Sequence, residues 1–287
     1  MTDVRRATRL LVLFAAVIPA ACRREAPAEP PLPVAQKPPT SLDPRAATLP
    51  VLHPDETGFV ARTHKSGTRV MPYRLFVPAG YAGDRLYPLV VWLHGGGGLG
   101  TDNLAQISGD QIPGTRLWIT PEQQAAHAAF VLVPQSPGPW ILAPWNLGVA
   151  HSSLQDNARM AADVINEVTR DFTIDLTRVY LLGQSMGGNG AWNLVSNMPD
   201  RFAAVILVCP VLSDISRATA VADVPLWIFV GETDSVTEKA RALVAALKEA
   251  GGHPRYTEYP HMGHEIWTRV FAEPAIAPWL FAQARPR

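Results

Sequence analysis

RVYLLGQSMGGNGAWNLVSNMPDRFAAVILVCP, residues 178–210, decides the fold. Val179–Leu182 is a short continuous apolar run, which is how a strand buried on both faces reads. G-Q-S-M-G follows at 183–187. The G-x-S-x-G spacing suits a sharp turn from strand into helix that leaves the hydroxyl of Ser185 exposed. Gly183 and Gly187 supply room where a Cβ would collide with neighbouring chain. N-G-A-W-N-L-V then reads as helix, with Gly188 and Gly190 letting it lie close to a sheet, and Ala203–Val208 reads as the next strand. An ordinary Gly-rich turn explains the glycines but not the strand before them and the helix after them.

Working outward, the same alternation continues. Val70–Val77, Pro88–Leu93, Phe130–Val133, Leu226–Val230 and Arg255–Tyr259 read as further strands. S-L-Q-D at 153–156 opens a helix expected to run to Phe172, and S-V-T-E at 235–238 opens another. The second carries Ala240, Leu243, Val244 and Leu247 at helical spacing and stops at Gly251-Gly252. Alternating strands and helices predict an α/β fold, a mostly parallel central sheet with helices on both faces. Function in such sheets gathers at the carboxyl ends of the strands.

A serine hydroxyl needs a base to take its proton, and the base needs a carboxylate to orient it. The order expected downstream of an elbow serine is acid, then histidine. Asp234 lies in the loop after Leu226–Val230, with Glu232 its main competitor. Asp214 follows an earlier strand, and Asp223 precedes its strand. His264, in G-H-E-I-W, follows the last strand; His261 shares that loop, and His253 lies before the strand. H-M-G-H-E is not the H-E-x-x-H pattern of a zinc enzyme and no cysteine cluster backs it, so no metal and no cofactor is expected. L-H-G-G-G-G at 93–98 offers backbone N–H groups for an oxyanion: Gly96 first, Gly97 close behind, with the N–H of Met186 as the second donor.

These stretches resemble the α/β-hydrolase superfamily, and within it the bacterial esterases related to feruloyl esterases, polyhydroxybutyrate depolymerases and proteins labelled "predicted peptidase". YPLVVWLHGGGGLGTDN, FVLVPQS, PLWIFVGETDSVT and RYTEYPHMGHEIW carry the resemblance together with residues 178–210. It implies Ser185 as nucleophile, Asp234 as orienter and His264 as general base. About 15 residues separate Cys209 from Leu226, a normal connection length, so no large cap domain is expected there. Longer connections lie at 98–129 and 134–152. The second holds Trp140 and Trp145, which are candidates to wall an acyl or aromatic pocket, or simply to pack the loop.

The chain has 287 residues, with Lys plus Arg at 25 and Asp plus Glu at 25. Neutral charge gives no bulk reason to bind nucleic acid. At 47% hydrophobic and 17% charged, the chain is too apolar to be wholly disordered. Residues 1–22 read as an export signal: Arg5, Arg6 and Arg9, an apolar run too short to span a bilayer, then Ala20, Ala21 and Cys22. LFAAVIPAAC resembles a bacterial lipoprotein signal, which implies a lipid anchor on Cys22; ordinary cleavage to a soluble exported protein is the alternative. Residues 23–50 read as a linker, with eight prolines between Ala26 and Pro50. Residues 51–287 form the catalytic domain. If Cys22 carries lipid, Cys209 has no partner and reads as a buried, inert thiol. The reading is an exported serine hydrolase of short-chain, aryl or polymer-linked esters. A peptidase of the same fold is the alternative, followed by an envelope-anchored binding protein.

Overall fold

The computed structural model describes residues 54–140 and 156–286. The signal expected at 1–22, the linker at 23–50, Cys22 and Trp145 lie outside the described residues. In chain order the elements are β1 (Val60–Ser66), β2 (Arg69–Phe76), β3 (Tyr87–Leu93), α1 (Ile112–Arg116), α2 (Pro121–Ala126), β4 (Phe130–Pro134), α3 (Asn157–Asp171), β5 (Ile174–Gln184) and α4 (Met186–Asn197). There follow β6 (Ala204–Val208), β7 (Leu226–Gly231), α5 (Thr237–Glu249), β8 (Arg255–Tyr259), α6 (Trp267–Phe271) and α7 (Ile276–Phe281).

The strands form one sheet in the order β1-β2-β4-β3-β5-β6-β7-β8. β1 and β2 pair antiparallel, as do β2 and β4; every pairing from β4 to β8 is parallel. Side chains of β3 alternate between two cores, as a period of two requires. Leu89, Val91 and Leu93 meet Ala158, Ile165, Ala191 and Leu243 from α3, α4 and α5 on one face. Val90 and Trp92 meet Val270, Phe271, Ile276 and Leu280 from α6 and α7 on the other. Both faces are covered, so β3, β4 and β6 are buried at every position. That accounts for their unbroken apolar sequence. Each such Val, Leu or Ile contributes about 1.5–3 kcal/mol by leaving water.

The chain leaves β3 toward β4 on one side and returns to β5 on the other. The loops after β3 and β5 therefore diverge, opening the crevice where such sheets bind ligands. Both loops named from sequence, H-G-G-G-G and the Ser185 turn, fall there. Between β6 and β7 the described chain builds only a single turn of 3₁₀ helix, Ala218–Val221, and no cap domain.

Two expectations are corrected. S-V-T-E does not form a capping box: α5 starts at Thr237 without a side-chain cap. Ser235 Oγ turns instead to Asp234 at 3.4 Å, and Thr237 Oγ1 donates to Gly231 O at 2.5 Å. The helix expected to open at S-L-Q-D begins only at Asn157, after Asp156, whose carboxylate accepts from Arg159 Nε at 2.5 Å; Ser153 lies outside the described residues. The sequence reading also passes over β1. It is a polar edge strand, VARTHKS, in which no residue is fully buried, so it has no apolar run to announce it.

Candidate active site

Ser185 sits between β5 and α4 with φ +56° and ψ −117°. A side chain in the left-handed region costs on the order of 1–3 kcal/mol and persists only where its surroundings fix it. Here Ser185 N donates to Val208 O at 2.8 Å, while its carbonyl accepts from Val211 N at 3.1 Å and Asn189 N at 3.3 Å. The glycines are sterically required. A Cβ on Gly183 would overlap the carbonyl of Gly187, and one on Gly187 would overlap the carbonyl of Leu93. Gly190 is pressed against Trp140 as well as Leu93, so it admits a tryptophan as much as it admits the sheet.

Ser185 Oγ lies 2.8 Å from His264 Nε2, and His264 Nδ1 lies 2.6 Å from Asp234 Oδ2. The loops carrying the last two residues are stitched together. Thr233 N and Oγ1 both donate to Met262 O at 2.9 Å, and Glu232 N donates to Tyr259 O at 2.9 Å. A Cβ on Gly231 would strike the carbonyls of Met262 and Gly263. Burial raises the Asp234 pKa, but hydrogen bonds from His264, Cys209 and the Val236 amide outweigh it, so the carboxyl titrates below its ordinary range. Asp234 is thus ionised at neutral pH and holds the proton of His264 on Nδ1. That leaves Nε2 free to accept from Ser185.

The other acidic and basic candidates fall elsewhere. His261 is turned to solvent, its Nδ1 3.4 Å from Glu232, and Glu232 also accepts from the His261 amide. His253 and Asp223 are exposed, and Asp214 accepts from Ser216 N and Oγ in its own loop.

Met186 is the first residue of α4, so its N–H has no acceptor within the helix, and it sits at the positive end of the helix dipole. The glycine loop faces Ser185 from the end of β3: a Cβ on Gly95 would lie 3.4 Å from Ser185 Cβ. Gly96 borders open space, whereas the α-carbon of Gly97 faces the carboxylate of Asp110.

Two residues of this loop were not singled out from sequence. Gln111 Oε1 accepts from Gly95 N at 2.9 Å. His94, fully buried, accepts from Ser136 N through Nε2 at 2.9 Å and donates from Nδ1 to Gly95 O at 2.7 Å. Burial pushes its pKa down to about 4, so the ring is neutral. The H-G pair opening L-H-G-G-G-G was the available signal. Of the two readings of Trp140, its surroundings fit packing: it is fully buried, donates from Nε1 to His94 O at 2.9 Å, and has its ring 4.8 Å from the imidazole. Among the described residues, one group of three possible metal ligands occurs, Cys209, Asp234 and His264. Two of the three are already committed to each other.

Residues 88–250 match the family model of the alpha/beta hydrolase fold, more than half of the chain. The chain belongs to the α/β-hydrolase family. A thermostable esterase of known structure is 36% identical over 80% of this chain, with a TM-score of 0.71; the chain spans 64% of that protein's length. The feruloyl esterase module from Clostridium thermocellum, determined with sinapinate, shares the fold at 15% identity, covering 87% of this chain and 94% of that one, with a TM-score of 0.59. S-formylglutathione hydrolase from Staphylococcus aureus does so at 17% identity, 78% and 98% coverage and a TM-score of 0.57. No curated protein matches the sequence.

Proposed function

We propose that this protein hydrolyses carboxylic esters through an acyl-enzyme on Ser185. The observation that carries the reading is the continuous hydrogen-bonded line from Ser185 Oγ through His264 to Asp234, at 2.8 and 2.6 Å. His264 Nε2 takes the hydroxyl proton as Oγ attacks the ester carbonyl. The N–H groups of Met186 and Gly96 receive the oxyanion, with Gly97 the alternative donor, and Asp234 stabilises the imidazolium. The imidazolium protonates the departing alcohol. Water, activated by the same imidazole, then releases the acid.

The absence of a cap domain between β6 and β7 supports short-chain, aryl or polymer-linked esters as substrates. The leader-like residues 1–22 support export, with Cys22 as the lipid anchor; transfer of the label from radioactive palmitate to wild type but not to Cys22→Ser tests that part.

The test of the activity compares the full chain with its Ser185→Ala variant on p-nitrophenyl acetate, p-nitrophenyl octanoate, methyl ferulate and a p-nitroanilide peptide. Ester cleavage that falls at least about 10³-fold in the variant supports the reading. Cleavage of the anilide alone replaces it with a peptidase. Equal inertness of two folded proteins overturns it in favour of binding without catalysis.

A further inference from the structure

Charge is segregated by sign at the end of the sheet that holds Ser185. The stretches that follow the carboxyl ends of β3, β6, β7 and β8, residues 94–111, 209–216, 232–236 and 260–266, contain no Lys and no Arg. They do contain Asp102, Asp110, Asp214, Glu232, Asp234 and Glu265. Residues 135–155 add no Asp, Glu, Lys or Arg. A chain with 25 basic and 25 acidic residues has no compositional reason for this, so the sign belongs to the site. The basic residues at the same end stand off from Ser185. Lys65 and Arg69 lie in the β1–β2 hairpin at the far edge of the sheet, where Arg69 reaches Asn157 Oδ1. Arg116 donates to Thr57 O.

Most of these acids are already engaged. Asp234 holds His264. Asp102 accepts from the amides of Leu104 and Ala105 and from Gln135 Nε2. Asp214 accepts from Ser216, and Lys239 comes beside it to donate to Ser213 O. Glu232 accepts from the His261 amide. Asp110 differs. It is exposed and forms no ion pair among the described residues. The partner of its carboxylate is Gln184, the residue before the nucleophile, whose Nε2 lies 3.3 Å from Oδ2. On its other side, a Cβ on Gly97 would overlap Asp110 Oδ1. The carboxylate is therefore held between the neighbour of Ser185 and the glycine loop, with no cation to offset it. His94 beside it is a neutral ring. We propose that Asp110 is a specificity-determining residue, through which the site selects esters bearing an ammonium group close to the scissile bond over uncharged esters of the same shape. This rests on the ester-hydrolase reading above.

The physical basis is Coulombic. A carboxylate without a counter-ion at the rim of a partly dehydrated crevice attracts a cation entering it, and crevices lined by one sign of charge focus that attraction. The same carboxylate opposes the oxyanion that forms at the glycine loop. Two esters of one acid form the same oxyanion, so that opposing effect cancels when their rates are compared as a ratio.

The experiment measures kcat/KM of the full chain for acetylcholine and for its uncharged isostere 3,3-dimethylbutyl acetate, by titrating the acetic acid released. Wild type is compared with Asp110→Asn, which keeps size and an acceptor for Gln184, and with Asp110→Ala. Glu249→Gln, at the exposed end of α5 on the opposite side of the sheet, makes the same change in net charge and serves as control. Wild type is expected to prefer the cation about fivefold or more, and both Asp110 variants should lose about that factor. Glu249→Gln should keep the ratio within about twofold. In about 1 M NaCl the wild-type ratio should fall toward that of Asp110→Asn, which a purely structural role would not produce. A wild-type ratio near one, or a ratio that both Asp110 variants leave unchanged, overturns the proposal, as does an equal fall in Glu249→Gln. A wild type that cleaves neither ester overturns the ester-hydrolase reading instead. The rates at which a choline-bearing fluorophosphonate and its uncharged isostere label Ser185 then give the same ratio, and absence of labelling by both overturns the two readings together.

Discussion

His94 Nδ1 lies 2.7 Å from the carbonyl oxygen of Gly95, and this one bond ties a buried imidazole to the backbone that faces Ser185. The other ring nitrogen accepts from Ser136 N, so the ring bridges the loops after β3 and β4. Gln111 holds the Gly95 amide from the opposite side. The N–H groups proposed to receive the oxyanion are thereby fixed before substrate arrives. Such preorganisation is where electrostatic catalysis gets its strength. Replacing His94 with alanine breaks the bridge, orphans two buried backbone groups and leaves a cavity. A loss of about 2–4 kcal/mol in urea unfolding is expected. In the fraction that stays folded, kcat should fall about 10–100-fold with KM little changed.

The same ring predicts an acid sensitivity. Its pKa, about 4 in the folded protein, lies below the ordinary histidine value of 6.5. The unfolded chain therefore binds a proton that the folded one refuses. Its contribution to stability is complete above pH about 6.5 and drains away as pH falls toward 4, reaching about 3 kcal/mol. Melting temperature followed between pH 7 and pH 4 should drop in wild type. It should drop less steeply in a His94→Gln variant, which has no proton to bind. Parallel curves would rule out His94 as the source.

Trp140 Nε1 donates to the His94 carbonyl, and the indole packs against the imidazole with the two rings tilted by 57°. Trp140→Phe keeps most of the apolar area and removes the donor, leaving a buried carbonyl unpaired at a cost of about 1–3 kcal/mol. If the tryptophan acts as a support, chain-length preference across p-nitrophenyl esters should be the same in variant and wild type. A changed preference at unchanged stability would return Trp140 to the pocket wall.

How much of this was legible follows from the physics of each element. β3, β5, β6 and β7 announce themselves because both faces are buried, and the elbow does because its glycines have no alternative. Ser185, Asp234 and His264 were placed by order along the chain, and the fold brings them together because each follows the carboxyl end of a strand. What sequence missed was tertiary. β1 is polar at an edge. The start of α5 is set by Asp234 and Gly231 rather than by Ser235. Gln111 reaches the site from a segment whose course no local pattern fixes. Trp140 stays open between wall and packing because an aromatic in a long loop reads the same whether it faces solvent or backs a neighbour.

Gly190→Ser probes that backing. A Cβ on Gly190 would overlap the Cβ of Trp140, on a helix whose far side is fixed by Gly188 against Pro210. Backbone and indole ring cannot both yield, and overpacking of this kind costs about 1–3 kcal/mol or more. The expected outcome is a lower yield of folded protein and a melting temperature reduced by several degrees. In the double variant with Trp140→Ala, the two losses should sum to less than additive, because the alanine vacates the space the serine needs. Strict additivity would separate the two sites.

Asp234→Asn tests the orienter against its sequence neighbour. Asparagine matches aspartate in size, but its amide donates, so the His264 nitrogen facing it must become the acceptor. The proton then sits on Nε2, toward Ser185, and the ring no longer serves as base. A fall in kcat of about 10⁴ is expected, with KM changed by less than about threefold. Glu232→Gln loses only an exposed contact with His261 and should retain activity within about twofold. The opposite pattern, loss in Glu232→Gln and retention in Asp234→Asn, would move the orienting role to the exposed carboxylate.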